Sequence, residues 1–210
     1  MKIRTPVCKI CRREGVKLFI KGLRCHTGKC AIDKGRPAPS GHSRYSSRDS
    51  NYRVQLREKE KVRAYYGVAE GQFRRYFRMA EKSRGATGEK LLEYLERRLD
   101  NILVVSGFID SRRQARQLIY GGNVRVNGKR VSASSYLAKT ADEVEFRPGL
   151  KIRPQIKEKV AASSGQPARV VPAWVAVDKE ALKIKVLREP ARSEVTLPVS
   201  EGHIVNLYSR

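Results

Sequence analysis

The chain has 210 residues, with 45 Lys and Arg against 21 Asp and Glu, a formal net charge of +24 and an isoelectric point near 10.3. Its 40% apolar content is enough for a globular core, but so large a charge excess opposes folding through self-repulsion unless a polyanion compensates it. No apolar run approaches the roughly 18 residues of a membrane span, so nucleic acid is the leading partner, an anionic membrane surface the weaker rival, and no small-molecule substrate is expected.

The charge is uneven. Residues 1–48 hold 13 basic and 2 acidic residues, a net of +11, nearly half of the whole excess. The same segment holds all 4 cysteines: Cys8 and Cys11, then Cys25 and Cys30, spaced C-x₂-C, thirteen residues, C-x₄-C. Two short Cys pairs on turns can converge on one ion, and four thiolates suit one tetrahedral structural Zn²⁺. An iron–sulfur cluster takes the same ligands, and a redox disulfide pair is a weaker alternative. The opening Met1-Lys2-Ile3-Arg4-Thr5-Pro6 does not read as a secretion signal, so reduced thiols are expected. His26 adjoins Cys25 but is expected to be a bystander, because four thiolates complete the shell.

Residues 34–48, rich in Pro, Gly, Ser and basic side chains, read as an extended arm ordered against a partner. A helix follows, capped by Ser50 or Asp49 and ended by Gly67. The next begins near Glu70, with Phe73, Tyr76, Phe77 and Ala80 on one face and Arg74, Arg75 and Arg78 on the other. Those arginines have an ordinary reading as a solvated face, one that would be preferred in a less basic chain. After Gly85 and Gly88, Thr87 opens a long helix whose stripe of Leu91, Leu92, Leu95, Leu99, Ile102 and Leu103 predicts core as far as Gly107.

Ser111 with Gln114 forms a capping-box pattern at the head of SRRQARQLIYGG, which gathers Arg112, Arg113 and Arg116 at a helix N-terminus, a phosphate-binding corner. Val124 to Val126 reads as a strand, Asn127-Gly128 as a two-residue hairpin turn, and Lys129 to Val131 as the return strand. Glu143 to Phe146 is a further strand. Residues 150–163 suggest a helix, residues 163–167 a loop, and Val175–Val177, Lys183–Leu187 and His203–Leu207 short strands, with Trp174 packed inside. The fold class is therefore α+β: a zinc-knuckle N-terminus with its arm over 1–48, a helical domain over 49–98 closed by 196–210, and over 99–195 helices on a small antiparallel sheet with a β-rich extension.

SRRQARQLIYGGNVRVNGKRV strongly resembles a small RNA-binding module shared by a ribosomal protein, a heat-shock protein, some tRNA synthetases and several RNA-modifying enzymes. PVCKICRREGVKLFIKGLRC, YRVQLREKEKVRAYYGVAEGQFRRYF, LERRLDNILVVSGF and the closing NLYSR narrow this: together they resemble the uS4 family of small-subunit ribosomal proteins, bacterial or organellar type, in its four-cysteine zinc-binding variant. The resemblance implies a structural component of the small ribosomal subunit in the cytoplasm or an organelle. Such a protein binds the 5′ domain of small-subunit rRNA, nucleates its assembly, touches neighbouring ribosomal proteins where mRNA enters, and contributes to translational accuracy. RNA helices are read through shape, phosphates and 2′-hydroxyls, which suits arginine's planar fork. The expected contacts are Arg112, Arg113, Arg116 and Gln117 on the module helix, then Arg125, Asn127, Lys129 and Arg130 on the hairpin. Arg12, Arg13, Arg44, Arg48, Arg53 and Arg57 are expected to meet phosphate beyond it.

Three rivals stand beside this. A pseudouridine synthase carries the same module and places its catalytic aspartate in an R-L-D motif, here Arg98-Leu99-Asp100. Yet the triplet lies in a helical stripe ahead of the module, and about sixty residues after it are too few for a catalytic domain, so Asp100 is expected to be structural and no catalytic residue is assigned. A stress protein that binds ribosomal particles through the module has no use for the first hundred residues. A DNA-binding zinc protein lacks a recognition helix here.

Overall fold

The computed structural model describes residues 6–39, 50–151, 153–162 and 171–209. The basic arm beyond Pro39, including Arg44, Arg48 and the alternative cap Asp49, and the loop expected at 163–167 lie outside the described residues. The chain divides into two compact units, Met1–Leu91 with Thr196–Arg210 and Leu92–Val195.

The first unit opens with α1 (Val7–Glu14), a single 3-10 turn at Gly22–His26, then α2 (Asn51–Tyr66) and α3 (Glu70–Lys82). Ser50 accepts the Arg53 amide at the head of α2, satisfying one orphan N–H, and Gly67 ends it in the left-handed conformation at φ 63. Helix α3 buries Phe73, Tyr76, Phe77 and Ala80, the predicted apolar face. Thr87 opens α4 (Thr87–Glu96), which belongs to this unit as far as Leu91, and α8 (Glu201–Tyr208) is its last helix. The strand expected over 203–207 is thus a helix. It buries Ile204 and lays Tyr208 against Phe77 at 4.6 Å and Phe73 at 6.2 Å, and this packing decides the conformation of a short apolar segment that suits either. A Cβ on Gly88 would meet the Glu201 Cβ at 2.7 Å, so the closeness of α8 to the head of α4 requires glycine there.

Glu70 ties this unit together. Its Oε1 accepts from the Tyr208 hydroxyl at 2.8 Å and from Arg74 Nε at 3.1 Å, and its Oε2 faces Lys59 at 3.3 Å and Arg63 at 2.9 Å. Burial alone would raise its pKa, but the Tyr208 and Arg74 hydrogen bonds and the two cations outweigh it, so the carboxyl sits below its usual range. A depressed carboxylate stabilises the fold above its unfolded pKa, about 4.3, and loses that contribution as pH falls through the folded value. Glu70→Gln should therefore cost about 1 kcal/mol at pH 7, discounted for partial exposure. The difference from wild type should shrink below about pH 4 in urea melts followed by circular dichroism; an equal difference at pH 3 and pH 7 would refute this.

The second unit contains α5 (Leu99–Val105), α6 (Arg112–Tyr120), α7 (Arg153–Ala162) and a five-stranded sheet. Its strands are β1 (Val124–Val126), β2 (Lys129–Arg130), β3 (Glu143–Phe146), β4 (Val175–Asp178) and β5 (Lys183–Val186), in the order β2-β1-β3-β5-β4, every pair antiparallel. Alternation puts Val124, Val126, Val144, Phe146, Ile184 and Val186 into the core with Leu99, Ile102, Leu103, Phe108 and the fully buried Trp174. The outer face keeps Arg125, Glu145 and Lys183 in one row.

The long helix expected from Thr87 to Gly107 is in fact two, α4 and α5. Arg98 takes an extended conformation at ψ 137, so that Leu99 N–H reaches Tyr136 O at 2.9 Å and Ala138 N–H reaches Arg97 O at 2.9 Å. The apolar stripe runs on unbroken because both helices bury their leucines, which hides the break from periodicity.

Candidate nucleic-acid interface and cysteine site

Helix α1 carries Cys8 and Cys11 one turn apart, so the first pair sits on a helix and not on the tight turn expected. Cys25 lies in the 3-10 turn, and Cys30 follows a turn closed from its N–H to Thr27 O at 3.0 Å. All four are free thiols, and all four line one small pocket of about 20 Å³. Burial first, then the neighbouring thiols, pushes Cys11 up, opposed by an N–H from Leu18. The same holds for Cys25, opposed by an N–H from Lys21. Ionising several thiols here is unfavourable without a cation, and a dication at their centre reverses that balance. An all-sulfur donor set suits structural zinc. The side chains stop short of a formed shell: no group of three or more His, Cys, Asp or Glu among the described residues is arranged to hold a metal ion.

The side chains expected to meet RNA have two fates. Arg113 and Gln117 on α6, and Lys129 and Arg130 on β2, are exposed. Arg112 and Arg116, read from the sequence as exposed at the helix start, are half-buried and engaged within the protein. Arg112 Nε donates to Asn101 Oδ1 at 2.9 Å, and Arg116 Nε donates to Asp100 Oδ2 at 2.5 Å. Asp100 and Asn101 are fully buried, and Arg98 adds Nε at 3.0 Å and Nη2 at 2.8 Å to the Asp100 carboxylate. The two arginines therefore clamp α6 onto α5. The sequence shows them as a basic cluster because their anchors lie eleven and sixteen residues upstream.

Asn127 is likewise a turn residue. At φ 50, followed by Gly128 at φ 74, it makes the predicted hairpin turn. Its amide donates to Asp142 Oδ1 at 2.9 Å, and its Oδ1 accepts the Glu143 N–H at 2.9 Å. Arg125 is half-buried on β1, opposite Arg130 and Glu145. In the first unit Arg12 Nη1 donates to Pro37 O at 2.8 Å and Arg13 pairs with Glu14 at 2.7 Å. Arg53 and Arg57 are half-buried on α2.

One basic surface was not among the expected contacts. Arg75, Arg78 and Lys82 stand exposed on successive turns of α3 and make no ion pair among the described residues. With Gly71, Arg74 and Met79 they line an open groove of about 510 Å³. The spacing 71, 75, 78, 82 is the readable signal: one helical face carrying only glycine and cations.

Comparison with known sequences decides what this architecture is. The sequence model of the ribosomal protein S4/S9 N-terminal domain matches residues 2–96, and that of the S4 domain matches residues 97–144. The small ribosomal subunit protein uS4A of Symbiobacterium thermophilum is 48% identical over 98% of this chain and 97% of its own length. The chain belongs to the uS4 family. The uS4 protein of Natranaerobius thermophilus is 49% identical over 98% of this chain and 97% of its own, and that of Acetivibrio thermocellus 47% over 97% and 96%. Relative to these uS4 sequences the match runs through both units, and the S4 domain model covers α5, α6 and the hairpin that together carry the exposed Arg113, Gln117, Lys129 and Arg130.

Proposed function

We propose that the chain is a structural, RNA-binding component of the small ribosomal subunit. The observation that carries this is near-complete colinearity, at 48% identity, with proteins that bear that name. The net charge of +24, the S4 domain and two exposed basic surfaces support it. Its partner is small-subunit rRNA, bound at the 5′ domain, where the protein nucleates assembly of the subunit body. It meets neighbouring ribosomal proteins and mRNA where the message enters, and there contributes to accuracy. A structural Zn²⁺ held by Cys8, Cys11, Cys25 and Cys30 orders the first segment. The enzyme reading finds no support: a nucleophilic carboxylate must be reachable, and Asp100 is fully buried with both oxygens engaged by arginine.

The α3 groove is the part of this reading with the clearest readout. Arg75→Ala with Arg78→Ala should lower the slope of log affinity against log salt for 5′-domain rRNA by about 1.5, with circular dichroism unchanged because both side chains are exposed. An unchanged slope would remove this groove from the interface.

A further inference from the structure

Two side chains of the cysteine segment lie outside the lining of the pocket that the thiols share. Phe19 and His26 stack with ring centroids 5.0 Å apart and an interplanar angle of 29°, on the outer surface of the segment. Phe19 is 37% exposed, and the neighbouring Leu23 is 58% exposed. The backbone at Phe19 is also unusual, at φ 49, a region that bulky L-residues seldom occupy. Three other non-glycine residues share a positive φ, and each has a local reason. Asn127 makes the hairpin turn, Leu182 is fully buried in the core, and the Ala141 N–H bonds to Val186 O at 2.8 Å. Phe19 is not fully buried, and its carbonyl accepts the Gly22 N–H at 3.3 Å in the turn that leads to the second cysteine pair. The ring is left facing outward.

The ring stands in a field of positive charge. Lys17 Nζ lies 5.7 Å from its centroid, and Lys21 and Arg24 are exposed on either side of Leu23. The acidic residues described in the segment, Glu14 and Asp33, are taken up by Arg13 and Lys17 at 2.7 Å each. An apolar, aromatic surface rimmed by Lys21 and Arg24 fits an unpaired nucleotide, whose base stacks while its phosphates meet those two cations. A protein partner would need acidic groups to match the same rim.

We infer that the Phe19–His26 pair is a stacking platform for an unpaired base of the bound RNA. This rests on the RNA-binding reading above and adds one subsite to it. The platform contributes through stacking and not through counterion release, so its loss leaves the salt slope untouched.

The test uses the full-length protein with 5′-domain rRNA. Phe19→Leu keeps an apolar side chain and removes the ring, and Phe19→Tyr keeps the ring. Phe19→Leu should bind about tenfold more weakly with an unchanged salt slope and unchanged zinc content, and Phe19→Tyr should bind like wild type. Equal affinity for wild type and Phe19→Leu would overturn the platform while leaving RNA binding intact. Weaker binding together with a smaller slope or lost zinc would also overturn it, showing that the ring only holds the segment in shape. Unchanged RNA affinity with poorer incorporation into assembled subunits would overturn it in favour of a protein partner. Failure of the wild-type protein to prefer this RNA would overturn both readings.

Discussion

Asp100→Ala should destabilise the second unit by roughly 3–5 kcal/mol. Asp100 is fully buried, and Arg98 beside it is 3% exposed. Removing the carboxylate leaves the Arg98 guanidinium buried without its anion, while Arg116, whose side chain is 29% exposed, can swing toward solvent. The cost is therefore that of one orphaned buried cation plus a lost clamp between α5 and α6. Trp174 is the only tryptophan and lies fully buried in this unit, so its fluorescence in a urea titration reports this transition alone. Replacing both Arg98 and Asp100 by leucine should recover part of the loss, since a buried pair exchanged for apolar groups is often near neutral. An unchanged urea midpoint for Asp100→Ala would show that the network contributes nothing.

Cys25→Ser should abolish bound zinc and expose the first thirty residues to proteolysis, with the Trp174 transition of the second unit unchanged. The segment buries Ile10, Leu18 and Ala31 besides its cysteines, which is little core for a stretch carrying a net of +11 over residues 1–48. Structural zinc supplies about 10–16 kcal/mol of apparent binding free energy in small zinc-dependent peptides, more than so small a core can replace. Elemental analysis of the wild type should give one zinc per chain, and a chelator should reproduce the proteolysis of the Cys25→Ser variant. A metal-free protein that stays protease-resistant would refute the zinc assignment, and visible charge-transfer absorption would point to iron–sulfur in its place.

Local chemistry made much of the element order legible. Ser50, Gly67, Ser111 and Asn127-Gly128 each act through their own backbone or a neighbour within four residues, so their signals survive without tertiary context. The strands at 143–146 and 183–186 show the alternation of a sheet with one buried face. What stayed hidden was decided at long range. The division between α4 and α5 depends on hydrogen bonds to residues 134–138, and α8 is helical because Tyr208 packs against α3. In the candidate interface, arginine as a residue type was readable and its role was not. Arg112 and Arg116, read as phosphate ligands, also engage Asn101 and Asp100, and Arg75 and Arg78, which could pass for an idle helix face, make no ion pair among the described residues.

A competition binding measurement tests the central claim most directly. The full-length protein would be titrated against the 5′ domain of small-subunit rRNA, an unrelated structured RNA of equal length and duplex DNA, across a salt series. Preferential binding to the 5′ domain that persists against competitor and at high salt is the predicted result. Equal affinity for all three, collapsing together as salt rises, would mean that the charge is generic and would contradict a primary rRNA-binding role.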